Sequence, residues 1–102
     1  MRLEKYSREK LKKELLAIIG ENLDLGKYKV FFFGSRVLGK GTNRSDIDVG
    51  IEGPEPIPFD ILGYIKDRVS DIPTIYTIDV VDFKRVSRVF KQIAKKKVEY
   101  IN

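Results

Sequence analysis

The chain has 102 residues, 42% hydrophobic and 34% charged, with a formal net charge of +5 and neither cysteine nor histidine. That length predicts one domain, spanning residues 1–102, with a single core. The two missing residue types exclude disulfides, Cys/His zinc sites, thiol nucleophiles and histidine acid–base catalysis, so any chemistry must run on carboxylates, hydroxyls and bound ions.

The first predicted element is an amphipathic helix from Ser7 to about Asn22, with apolar residues at Leu11, Leu15, Ile18 and Ile19 and Ser7 as N-cap. "YKVFFF" (28–33) is β-branched and aromatic and bounded by glycines, as in a buried strand. "DIDVGIE" (46–52) alternates, with Ile47, Val49 and Ile51 on one face and Asp46, Asp48 and Gly50 on the other. "GPEPIP" reads as a loop. A second helix is predicted from Phe59 or Asp60 to about Ser70, a third strand over 74–83, and a last helix from about Lys84 to Lys96 with Val86, Val89, Phe90 and Ile93 as its apolar stripe. "VEYIN" closes the chain as a short strand. No stretch approaches eighteen apolar residues and the charged N-terminus has no apolar core, so a cytoplasmic protein without membrane contact is expected.

The most informative stretch is "GSRVLGKGTNRSDIDVG" (34–50). Its first half approaches a phosphate-binding P-loop, with Gly34, Gly39 and Lys40 at the required spacing. Gly41 occupies the position that needs a magnesium-binding hydroxyl, however, and a strand follows where a helix should. The dinucleotide pattern G-x-G-x-x-G is not matched either.

The second half is better explained by its acids. Asp46 and Asp48 project from the same strand face, roughly 6.5–7 Å apart. At an effective dielectric near 20 they repel by about 2.5 kcal/mol, a cost that a hard divalent cation reverses. Gly34 and Ser35, at the end of the preceding strand, offer amides and a hydroxyl to phosphate oxygens, with a short helical turn through "SRVLG". A two-metal site wants a third carboxylate from a neighbouring strand. Asp79 and Asp82 are the candidates and, three apart, they face opposite ways. Asp79 lies mid-strand between Ile78 and Val80, where an acid needs a reason, while Asp82 near the strand end suits the start of the next helix.

G-S, a ten-residue spacer, D-x-D and an isolated acid on a later strand resemble the signature of the DNA polymerase β nucleotidyltransferase superfamily. "FFFGSRVLGKGTNRSDIDVGI" followed by "IDVVDF" is similar to its smallest branch, the minimal nucleotidyltransferases paired with HEPN toxins. The resemblance covers nearly the whole chain. It implies an α/β (α+β) nucleotidyltransferase fold, a small mixed β-sheet flanked by helices in the order α-β-(short α)-β-α-β-α. It further implies that Gly34 and Ser35 bind the triphosphate of ATP and that Asp46, Asp48 and Asp79 hold two Mg2+ ions, with Asp79 assisting deprotonation of the acceptor. Arg36 and Lys40 would neutralise phosphate charge, and Ser45 belongs to the same motif. The implied reaction is AMP transfer from ATP to a tyrosine of a HEPN toxin by its antitoxin. The matched region contains no additional domain to grip the base and acceptor, which leaves positioning of the second substrate to a partner chain.

Two other readings stay open. A catalytically idle antitoxin would neutralise its partner by occlusion, although occlusion alone does not require repelling carboxylates to be kept together. A nucleic-acid-binding domain would use the +5 charge, but an acidic site face repels a phosphate backbone, so direct nucleic-acid binding is not expected.

Overall fold

The computed structural model describes residues 6–34 and 46–102. Helix α1 is Arg8–Gly20, followed by strands β1 (Lys29–Phe33) and β2 (Ile47–Glu52), helix α2 (Phe59–Ser70), strand β3 (Ile78–Asp82), helix α3 (Arg88–Ala94) and strand β4 (Glu99–Tyr100). The strands form one mixed sheet in the order β3-β2-β1-β4. β1 is antiparallel to β2 and to β4, whereas β2 and β3, joined through α2, run parallel. The expected α+β architecture is present. The short helical turn foreseen through "SRVLG" lies outside the described residues.

Alternation along the strands divides the core in two. On one face Val30, Phe32, Ile47, Val49, Ile51 and Val80 pack against Leu11, Leu15 and Ile19 of α1 and Leu62, Ile65 and Val69 of α2. On the other, Phe31, Phe33 and Phe83 form a smaller aromatic cluster, with edge contacts at 4.8 Å between Phe31 and Phe83 and 5.0 Å between Phe33 and Phe83. Gly50 makes that cluster possible: a Cβ there would stand 2.4 Å from the Phe31 ring and 2.7 Å from the Phe83 ring.

The helix ends follow local hydrogen bonding. α1 starts where Ser7 accepts from the Lys10 amide, at 3.2 Å. It stops at Gly20, short of the expected Asn22, whose side chain instead donates to the Ile18 carbonyl at 3.0 Å. β3 begins at Ile78 rather than residue 74, because after Pro73 the chain turns, with the Thr74 amide on the Ile72 carbonyl and the Tyr76 amide on the Thr74 hydroxyl. The largest departure is α3. It begins at Arg88 instead of Lys84, since the Lys84 and Arg85 amides turn back onto Asp82 and Ser87 supplies the cap. Its apolar stripe is largely open, with Val89 65%, Phe90 41% and Ile93 61% exposed. No described helix is long and apolar enough to cross a membrane.

Candidate active site

β1 and β2 pair with Phe33 opposite Asp48, and β2 and β3 pair with Asp48 beside Asp79. In-register neighbours in a sheet project from the same face. Asp48 and Asp79 therefore stand next to each other on the face opposite α1 and α2, at the end of β1 where Gly34 turns the chain. Gly34 has φ +86°, a conformation that disfavours any side chain, and a Cβ on it would meet the Asp48 Oδ2 at 2.2 Å.

The electrostatics at Asp48 are unfavourable for a lone carboxylate. Burial pushes its carboxyl above the ordinary value, the neighbouring Asp79 adds to this, and Asp46 adds further. Asp46 is exposed at the entry to β2, and Asp79 is the more exposed member of the pair. Among the described residues no three acidic side chains are gathered around a common point that could hold a metal. The donors nevertheless suit magnesium, which is commonly held by one or two carboxylates together with substrate phosphates. Asp48, partly desolvated and beside a like charge, is stabilised by such an ion.

Asp82, the other candidate acid, has a different setting. It is 4% exposed, its Oδ2 accepts from the Ile57 amide at 2.8 Å and its Oδ1 from the Lys84 amide at 2.9 Å. Arg85 sits 3.4 Å from the same carboxylate and donates to the Ile57 carbonyl at 2.8 Å. Every oxygen of Asp82 is thus committed to holding two loops together. It begins a turn, not a helix.

Ser35, Arg36, Lys40 and Ser45 lie outside the described residues. Of the sequence-derived site residues, the structure brings together Gly34, Asp48 and Asp79, with Asp46 adjacent.

A cavity of about 530 Å3 opens beside these three residues, a size in the range of small-molecule sites. Its floor includes Phe33 and Val81 of the sheet, and its far wall is α3, through Phe90, Ile93 and Ala94. Lys96 and Lys97 also line it. These contributors were missed in the sequence, where the stripe read only as the apolar face of a helix. α3 is held over the cavity by charge: Lys91 and Lys95 each reach Glu52 at 2.5 Å. Burial alone would raise the Glu52 carboxyl, but its hydrogen bonds to Lys91 and Lys95 outweigh that and hold it below the ordinary value.

The family model described as "Polymerase beta, Nucleotidyltransferase" matches residues 28–101, from β1 through β4. The chain belongs to the polymerase beta nucleotidyltransferase family. Within this nucleotidyltransferase family, a relative from Haemophilus influenzae, described as a probable protein adenylyltransferase MntA, is 32% identical over 93 residues, covering 89% of this chain and 82% of the relative. The fold is also similar to a chain in the solved structure of the tri-AMPylated Shewanella oneidensis HEPN toxin in complex with MNT antitoxin. That match has a TM-score of 0.71 at 14% identity and covers 94% of this chain and 72% of that one. A crystal structure of a toxin–antitoxin with AMP-PNP matches with a TM-score of 0.72 at 17% identity, over 89% of this chain and 72% of that one.

Proposed function

We propose that this nucleotidyltransferase transfers AMP from ATP to a tyrosine hydroxyl of a HEPN-family partner toxin, acting in the cytoplasm as its antitoxin. The observation that carries the reading is the pairing of Asp48 with Asp79 beside Gly34, on a chain 32% identical to a probable protein adenylyltransferase.

In this reading Asp46, Asp48 and Asp79 hold two Mg2+ ions when ATP is bound, and the ions supply charge neutralisation at the α-phosphate and the leaving pyrophosphate. Asp48 is the most desolvated of the three and would gain most from a bound cation. Gly34 and Ser35 bind the triphosphate, Arg36 and Lys40 neutralise phosphate charge, and Ser45 belongs to the same nucleotide-binding motif. The acceptor oxygen forms a bond to the α-phosphorus while the bond from that phosphorus to the oxygen bridging the α- and β-phosphates breaks. Asp79 takes the hydroxyl proton and pyrophosphate departs.

The test is incubation of the protein with labelled ATP, Mg2+ and the protein encoded beside it. Label should appear on a tyrosine of that partner and be lost with Asp48→Asn. Partner neutralisation that persists in Asp48→Asn without labelling would instead support inhibition by occlusion.

A further inference from the structure

We infer that the apolar half of the cavity receives the nucleobase of the nucleoside triphosphate, packed against Phe90 and Ile93 of α3. The inference rests on the nucleotide-transfer reading above and adds to it the residues that hold the base.

The cavity is chemically two-ended. Asp48 and Asp79 stand in the part nearest Gly34, and the α3 side offers Phe90, Ile93 and Ala94. A ligand that fills it must carry a metal-binding or anionic end and a flat apolar end in one molecule, which is the build of a nucleoside triphosphate. Lys96 and Lys97 add positive charge to a cavity whose carboxylates alone would repel a polyphosphate.

The exposed stripe of α3 supports the same conclusion. The helix has no buried residue: Ile93 is 61% exposed, and Phe90, though one edge of its ring meets the aromatic cluster, is still 41% exposed. Apolar side chains left open beside a site mark a binding surface. Phe90 is also braced, with its ring 6.1 Å from Phe33 in an edge contact and 5.9 Å from Phe83. Together with the Glu52 tethers at Lys91 and Lys95, this presents a ring already fixed in place, so little side-chain freedom is lost when a base lies against it.

The experiment measures binding by calorimetry, with Mg2+ and an ATP analogue carrying a methylene bridge between the α- and β-phosphorus atoms, and in parallel with inorganic tripolyphosphate, which has no base. Phe90→Ala should weaken the ATP analogue about tenfold and Ile93→Ala about fivefold, with tripolyphosphate binding unchanged in both. Val89→Ala, on the same helix but away from the cavity lining, should change neither. Circular dichroism and thermal melts establish that the variants are folded, and Ile93→Ala carries the test alone if Phe90→Ala is not. Equal weakening of tripolyphosphate, or unchanged analogue binding with a raised KM for the acceptor protein, would overturn the inference while leaving nucleotide transfer standing. Failure of the folded wild-type protein to bind the analogue would overturn both.

Discussion

Gly34 and Asp48 occupy each other's space: the side-chain oxygen of the aspartate lies where a β-carbon on the glycine would be, 2.2 Å from its ideal position. The positive φ of Gly34 adds a second reason for glycine at this position. Gly34→Ala should therefore destabilise the fold by about 1–3 kcal/mol and abolish transfer. Placing the same substitution in an Asp48→Ala background should cost less, because the clash is gone and only the backbone strain remains. Thermal melts of the four proteins measure the difference.

Asp48 is held in a partly buried position against two like charges. Removing its charge should stabilise the fold in metal-free buffer, so Asp48→Asn should melt higher than wild type there. Transfer should fall at least about a hundredfold. Mg2+ with ATP should raise the melting temperature of wild type more than that of the variant, and a larger shift in the variant would count against Asp48 as a ligand.

Glu52 provides the pH dependence. Its folded-state carboxyl lies below the ordinary value despite burial, because Lys91 and Lys95 bond to it. A depressed carboxylate contributes stability that is fully present above its unfolded value and lost as the pH falls through the folded one. Glu52→Gln should thus lower the melting temperature at neutral pH, by an amount equivalent to about 1 kcal/mol. The gap to wild type should close on acidification below the ordinary carboxylate range.

Asp82→Asn should separate a structural acid from a catalytic one. The substitution leaves the Ile57 and Lys84 amides and Arg85 with a poorer partner in a buried site, costing about 1–3 kcal/mol. Transfer per folded molecule, measured below the melting transition, should stay near wild type. Asp79→Asn should do the reverse.

Much of this was legible in the chain. The period-two alternation of 46–52 separates Ile47, Val49 and Ile51 from Asp48 and Gly50, and the burial of β2 follows it except at Gly50, which the Phe31 and Phe83 rings cover. The same alternation separates Asp79 from Asp82, which the structure places beside Asp48 and in a buried turn respectively. The roof of the cavity was not legible. Helical spacing identifies Val89, Phe90 and Ile93 as one stripe but not the surface that the stripe meets. Asp82 and Ser87 shorten α3 to seven residues, and a helix of that length leaves part of the sheet face uncovered. The Glu52 tether was hidden for another reason, since it joins residues 43 apart, a separation that no local pattern encodes.

The parallel pairing of β2 with β3 carries one more consequence. The Ile47 amide on the Thr77 carbonyl and the Phe83 amide on the Ile51 carbonyl, at 2.8 and 2.9 Å, clasp the two strands just outside both ends of β3. Sliding β3 by a single position would bring Ile78 or Val80 alongside Asp48 and turn Asp79 toward the helices. Catalytic competence is thereby a gauge of correct strand alignment, and a misaligned but folded chain would betray itself by silence in the transfer assay.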